Sequence, residues 1–245
     1  MCRRFTNHDF CENSLMQNIR KYGFFLVTGI RWFLYLSACV FILFLSLAFT
    51  DIPYYWYHGY AEDNHSLVGE ADFIIVMSGN DFPSSDALEK IYLVSKIKQK
   101  RADTKLILAF PSLDENLIMQ DSVLFKNFGI ANSNLIISAK GYNTLTQVES
   151  IISENDLSNT NVIVVCNYEQ TLRTLACFRK RSRANFFAVH NIEKPFSPEL
   201  LSPEQNNSPF YSLQIRYNFW NYLIYQIKAM REYIAIQYYS YKNWI

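Results

Sequence analysis

An apolar run from Phe33 to Phe49 contains no charged residue and constrains the chain more than any other feature of its sequence. With Trp32 and the upstream stretch Phe24–Ile30 it reaches the roughly 20 apolar residues that cross a bilayer as a helix. The charge around it is one-sided. Arg3, Arg4, Arg20, Lys21 and Arg31 stand before it, against Asp9 and Glu12, and after it no Lys or Arg occurs until Lys90. A positive flank is retained in the cytoplasm. Residues 24–50 therefore read as a single-pass transmembrane signal anchor, with residues 1–23 as a polar, loose cytoplasmic segment and everything from Asp51 onward on the far side. The run exceeds the ~7–15 residues of a cleaved signal core, and Phe49-Thr50-Asp51 is a poor small-x-small cleavage site.

Removing the anchor leaves roughly 190 residues, enough for one domain with a full core. A formal charge of +1, with 18% charged residues, leaves no nucleic-acid footprint. Five cysteines are present, of which Cys2 and Cys11 precede the span and Cys39 lies within it. Only Cys166 and Cys177 share the far side. A bond between them is not favoured, because one ends a strand and the other lies along the next helix. No CxxC or Cys/His spacing occurs, so no metal site is expected; no GxGxxG, P-loop or GxSxG motif occurs either, and no cofactor is expected.

Residues 51–70 form a juxtamembrane linker whose aromatic cluster, PYYWYHGY at 53–60, reads as an interfacial belt. An aromatic cage for a ligand is the lesser reading. From Ala71 short apolar runs alternate with helical patterns. Strands are predicted at Phe73–Met77, Lys105–Ala109, Asn134–Ser138, Asn161–Cys166 and Ala184–His190. Helices are predicted at Ala87–Lys100, around Glu115–Phe128 with Gly129 as its left-handed stop, at Leu145–Asn155 and at Thr171–Arg181. β-branched runs separated by helices specify an α/β domain over 71–190, a Rossmann-like three-layer parallel sheet with helices on both faces. Ligands of such sheets bind beyond the carboxyl ends of the strands, here Ser78–Asp81, Phe110–Asp114, Ser138–Thr144 and Cys166–Gln170. Residues 191–245 comprise an irregular Pro/Ser/Asn-rich excursion and, from about Leu213, a long C-terminal helix. Trp220, Leu223, Ile224, Ile227, Arg231 and Ile234 recur along it at helical spacing, with Asn221, Lys228 and Glu232 on other faces. The helix is expected to pack on the sheet domain, although its surplus of aromatics also permits contact with a membrane surface.

The chemistry-bearing residues are sparse. Gly79 in Ser78-Gly79-Asn80-Asp81 would let backbone amides approach an anion, though any tight turn can carry a glycine. Asn143-Thr144 reads first as a helix N-cap and second as a polar pair at the ligand end of a strand. Arg173, near the start of its helix, suits either bidentate anion binding or a salt-bridged structural role. His190 at a strand end is more often structural than catalytic, and His58 and His65 show no partner in sequence.

Five segments carry a resemblance. They are Ala71-Asp72-Phe73-Ile74-Ile75-Val76-Met77-Ser78-Gly79-Asn80, then Leu88-Glu89-Lys90, then Gly129-Ile130 with Ile136, then Gly141-Tyr142-Asn143-Thr144-Leu145-Thr146-Gln147, and finally Val165-Cys166-Asn167-Tyr168-Glu169-Gln170-Thr171-Leu172-Arg173. In this order they resemble the motifs aDaIVVLGGG, LER, GV/GI…I, S-x-N-T-x-E-N and TS-x-x-H-x-x-R of the YdcF/SanA/ElyC-like family, bacterial membrane-anchored Rossmann-like domains of unknown function. The resemblance implies a bacterial inner (plasma) membrane location with the main domain periplasmic, and a role in cell-envelope biogenesis around peptidoglycan or its lipid carrier. It also implies a ligand-binding set of Gly79 and Asn80 through backbone amides, Lys90 and Arg173 as anion partners, and Asn143, Thr144 and Gln170 as hydrogen-bonding groups. The departures matter: Ala109-Phe110-Pro111-Ser112 replaces SGG, Thr146-Gln147 replaces the acid-amide pair, and Gln170 replaces the motif histidine. Glutamine cannot act as a general base near neutral pH.

Three readings follow. The first is an anchored envelope protein that binds an anionic or phosphorylated ligand with degenerate catalysis, its partners being the bilayer through residues 24–50 and a phosphorylated envelope precursor or an envelope protein. The second is an active hydrolase or transferase on such a precursor, using Asp81, Asp114, Glu115 or Glu169. The third is a nucleotide or S-adenosylmethionine module, which the charge asymmetry disfavours because that pool is cytoplasmic.

Overall fold

The computed structural model describes residues 8–60, 71–77, 85–101, 103–109, 123, 125–130, 135–138, 141–190 and 213–245, with side chains from Phe25, Leu88 and Asn218 onward in the helices that begin before them. Helix α1 (His8–Leu47) leads to the short α2 (Ile52–His58). The sheet domain runs β1 (Phe73–Met77), α3 (Ser85–Lys100), β2 (Lys105–Ala109), β3 (Leu135–Ser138), α4 (Thr144–Glu154), β4 (Asn161–Val165), a 3-10 turn (Tyr168–Gln170), α5 (Thr171–Arg181) and β5 (Asn185–Ala188). Helix α6 (Leu213–Tyr241) follows. All five strands are parallel, in the order β3-β2-β1-β4-β5, which makes the domain an α/β, Rossmann-like fold. The chain builds outward from β1 to β3, then crosses to the other side of β1 for β4 and β5.

The three central strands are apolar on both faces because both faces are covered. Side chains alternate along a strand, so Ile75, Met77, Ile107, Val162 and Val164 enter one core with Leu145, Val148 and Ile151 of α4 and Leu175 and Phe178 of α5. Ile74, Val76, Leu106, Leu108, Ile163 and Val165 enter the other with Ile91, Val94 and Ile97 of α3. Spacings of three and four place each helical set on one stripe. Of the helix expected around 115–128 only the last turn is described. There Gly129 takes φ +77°, and the Ile130 amide donates to the Phe125 carbonyl at 3.0 Å, the left-handed stop the sequence predicts.

The polar residues expected to be loose differ in the structure: from His8 they continue α1. No Pro or Gly interrupts the chain from His8 to Tyr22, and extending a formed helix costs far less than nucleating one. Within α1, Phe25–Leu47 is long and apolar enough to cross a membrane, and none of its most apolar window is buried by the rest of the chain. The Ser46 hydroxyl donates to the Ile42 carbonyl at 2.8 Å, so it needs no water partner.

The 53–60 cluster is only partly a surface belt. Pro53 sits in the first turn of α2, and Tyr57 and Tyr60 turn into a small core with Ala229, Tyr168 and Tyr225, while Tyr55 stays 70% exposed. The Tyr60 carbonyl accepts from the Leu172 amide at 3.3 Å, satisfying a free donor in the first turn of α5.

Helix α6 departs furthest from expectation. The apolar stripe that the sequence aims at the domain faces outward, with Trp220 55%, Ile224 49%, Ile227 52% and Ile234 60% exposed. Gln226, Ala229, Glu232 and Tyr239 point inward instead. On the inner side Glu232 forms a buried ion pair with Arg173.

Candidate functional site

The strand order reverses between β1 and β4, and open parallel sheets hold their ligands in the crevice at that point. A cavity of about 280 Å³ opens there. Its floor is the end of β4 and the turn beyond it, Val165 to Glu169, with His190 from the end of β5. Glu89, Lys90 and Leu93 of α3 form one wall. Tyr57 and His58 of α2 and Tyr225 and Lys228 of α6 form the other.

Lys90 is 7% exposed, and its ammonium donates to the carbonyl of Met77, the last residue of β1, at 3.0 Å. Glu169, 3% exposed, is the hub of the opposite side. Its Oε2 accepts from the Tyr57 hydroxyl at 3.0 Å, its Oε1 accepts from Arg231 Nη2 at 3.0 Å, and Lys228 Nζ lies 3.9 Å away. Burial, then the charge and hydrogen bond of Glu169, hold the Tyr57 phenol well above the ordinary tyrosine range, so it remains a donor. The Tyr57 ring stacks on Tyr168 at 5.2 Å and on Tyr225 at 4.8 Å, a three-ring roof.

Two imidazoles flank Tyr168. His58 Nδ1 bonds the Tyr168 hydroxyl, and the His190 ring meets the Tyr168 ring edge-on at 4.4 Å. Burial pushes the His58 pKa below its ordinary value, so the ring is neutral at pH 7. Cys166, also in the floor, is held as a thiol: burial raises its pKa, against the Thr171 hydroxyl and the Lys90 charge, which lower it. It is not poised as a nucleophile. Among the described residues no group of three or more His, Cys, Asp or Glu is arranged to hold a metal ion.

The residues expected to bind ligand separate into three sets. Lys90 lines the cavity. Gly79 and Asn80 lie outside the described residues, as do Asp81, Asp114 and Glu115. Asn143, Thr144, Gln170 and Arg173 are not part of the cavity lining. Asn143 is the N-cap of α4, its Oδ1 accepting from the Thr146 amide at 3.0 Å while Thr146 Oγ1 accepts from the Asn143 amide at 3.2 Å, a reciprocal capping box. Gln170 occupies the N-cap position of α5 without a side-chain capping bond, and its own amide donates to the Asn167 carbonyl at 2.9 Å.

Arg173 has an anionic partner from within the chain. Its Nε donates to Glu232 Oε1 at 2.6 Å and its Nη2 to Glu232 Oε2 at 3.1 Å, while Nη1 donates to Thr144 Oγ1 at 2.8 Å. The guanidinium also sits 5.0 Å above the Tyr239 ring. Burial alone would lower its pKa, but the hydrogen bonds and charge of Glu232 outweigh that and raise it. The pair ties α4, α5 and α6 together.

Tyr225 and Lys228 are cavity residues that sequence reasoning did not select, and Tyr57 and His58 belong to the aromatic cluster for which a ligand cage was the lesser reading. The strand-end rule reaches Cys166–Gln170, but nothing local says that α2 and α6 fold back over that end. No protein-family model, curated protein or solved structure matches this chain.

Proposed function

We propose that this chain is a divergent, membrane-anchored member of the YdcF/SanA/ElyC-like family that binds an anionic, phosphorylated ligand of cell-envelope biogenesis in the cavity between β1 and β4. The observation that carries this reading is Lys90, a nearly buried ammonium set in the cavity wall at the end of β1. The Met77 carbonyl holds this ammonium in place, so a fixed positive charge stands where the anionic group of a ligand would lie. Lys228 adds a second positive group at the rim, and the tyrosine roof supplies a flat apolar surface for the rest of the ligand. The segmental motifs from Ala71 to His190 support the family assignment. Phe25–Leu47 supports the anchor, and the positive flank supports an external domain in a bacterial inner membrane.

Binding is tested on the full chain purified in mild detergent, by mass spectrometry of what co-purifies and by thermal shift with inorganic phosphate. Phosphate should raise the melting temperature, and Lys90→Met should abolish that rise while circular dichroism shows a folded chain. An undiminished rise in the folded Lys90→Met chain would remove the assignment.

A second reading has its own observation. Although Gln170 stands where the motif histidine would, the cavity holds two imidazoles, His58 at the Tyr168 hydroxyl and His190 edge-on to the Tyr168 ring. A neutral His58 can accept a proton, so proton transfer in a hydrolase or transferase reaction has a candidate base. Turnover of a phosphomonoester that disappears in His58→Gln would favour it over binding alone.

A further inference from the structure

The outward face of α6 is more apolar than its inward face. Trp220, Ile224, Ile227, Ile234, Tyr238 and Tyr241 are each 49% exposed or more, and they follow one another at spacings of three, four or seven. That spacing draws one stripe along a helix of 29 residues, broken at the gap of seven by Arg231. Contiguous apolar surface on this scale marks a contact with something apolar.

Two observations identify what covers it. The first is continuity with the apolar span. Phe49, two residues beyond α1, lies with its ring 4.6 Å from that of Phe219, which meets Trp220 edge-on at 5.3 Å. The Tyr222 hydroxyl donates to Asp51 Oδ1 at 2.7 Å. The start of the stripe is thus fastened to the point where the chain leaves the span. The second is charge. From Leu213 to Ile245 the chain has Arg216, Lys228, Arg231 and Lys242 against one carboxylate, Glu232. Glu232 is 1% exposed and taken by Arg173, whereas Arg231 and Lys228 reach the surface although both face Glu169. A second copy packed on the stripe would set basic flank against basic flank, with Arg231 in the seam and no exposed acid on α6 to pair it. Aromatic and aliphatic residues on one face, with Arg231 among them and Lys228 beside them, suit an anionic lipid surface.

We propose that the outward stripe of α6 lies on an anionic lipid bilayer, a second membrane contact that seats the domain against the surface its span crosses. This rests on the reading of Phe25–Leu47 as a membrane span, and the two can fail separately. The stripe holds the domain in one orientation, with the α2–α6 wall of the cavity on the membrane side.

The test places the full chain in vesicles of phosphatidylcholine and phosphatidylglycerol with brominated acyl chains. The emission of individual tryptophans is resolved by Trp32→Phe and Trp220→Phe differences. Trp32 reports the span and Trp220 reports the stripe. The expected result is that both are quenched, with Trp220 losing about half its emission, as suits a helix seated at the headgroup–acyl boundary. Ile224→Glu combined with Ile227→Glu should release Trp220 but not Trp32, and phosphatidylcholine alone should weaken the Trp220 effect. Quenched Trp32 with unquenched Trp220 overturns the proposal and leaves the span intact. Unquenched Trp32 overturns both. Unquenched Trp220 together with a dimer captured through Ile227→Cys assigns the stripe to a second copy instead.

Discussion

Arg173 shows how far a residue's chemistry can be read before its neighbours are known. Its type and place suit an anion, and the anion proves to be Glu232, 59 positions along the chain. Removing one member of a buried pair strands the other, so Arg173→Ala should destabilise the fold by about 3–5 kcal/mol. Arg173→Met combined with Glu232→Leu should cost far less. Urea denaturation of the three chains measures both, and equal losses would remove the ion pair from the account. His58 gives a pH signature. Its pKa is lowered in the fold by burial, so the unfolded chain binds the extra proton. Its contribution is complete above the ordinary imidazole value and declines as pH falls through about 6.5. The melting temperature should fall more steeply between about pH 7 and pH 5 in the parent than in His58→Asn. Neither contact was legible in the sequence, because Arg173–Glu232 and His58–Tyr168 both join residues far apart in the chain.

The strands and the sheet-covering helices were legible almost residue for residue. β1 and β2 carry apolar residues on both faces, and α3, α4 and α5 repeat theirs at three and four, so local pattern and tertiary demand agree. The start of α4 shows how tightly local chemistry fixes an element. Gly141 has φ +131°, and a Cβ there would stand 2.5 Å from the Gln147 amide nitrogen. Gly141→Ala should therefore cost about 1–3 kcal/mol. Asn143→Ala, which removes the cap, should cost about 0.5–2 kcal/mol. Thermal melts of both variants check the order. A Gly141→Ala chain as stable as the parent would mean that the loop can shift to make room. Helix α6 was legible as a helix but not in orientation. Its periodicity marks the more apolar side, whereas the buried side is chosen by Glu232, Ala229 and Tyr239, whose partners lie on other elements.

At the scale of the whole molecule the outstanding feature is Phe25–Leu47, long and apolar enough to cross a membrane. A positive N-terminal flank followed by a long stretch free of Lys and Arg should hold the sheet domain outside the cytoplasm. Alkaline phosphatase joined after Ile245 should then be active and a cytoplasm-only reporter silent; the reverse pattern would invert the topology. The sheet domain could be read as a unit from Ala71 to His190, but the cavity could not, since half its wall comes from outside those limits. Tyr57 and His58 are made before the first strand, and Tyr225 and Lys228 after the last. Domains fold largely in the order of their synthesis, and contacts between the ends of a chain are the slowest to close. The pocket is therefore finished last. A nascent chain that ends before Tyr225 carries all five strands, yet its recess still lacks the side that α6 supplies.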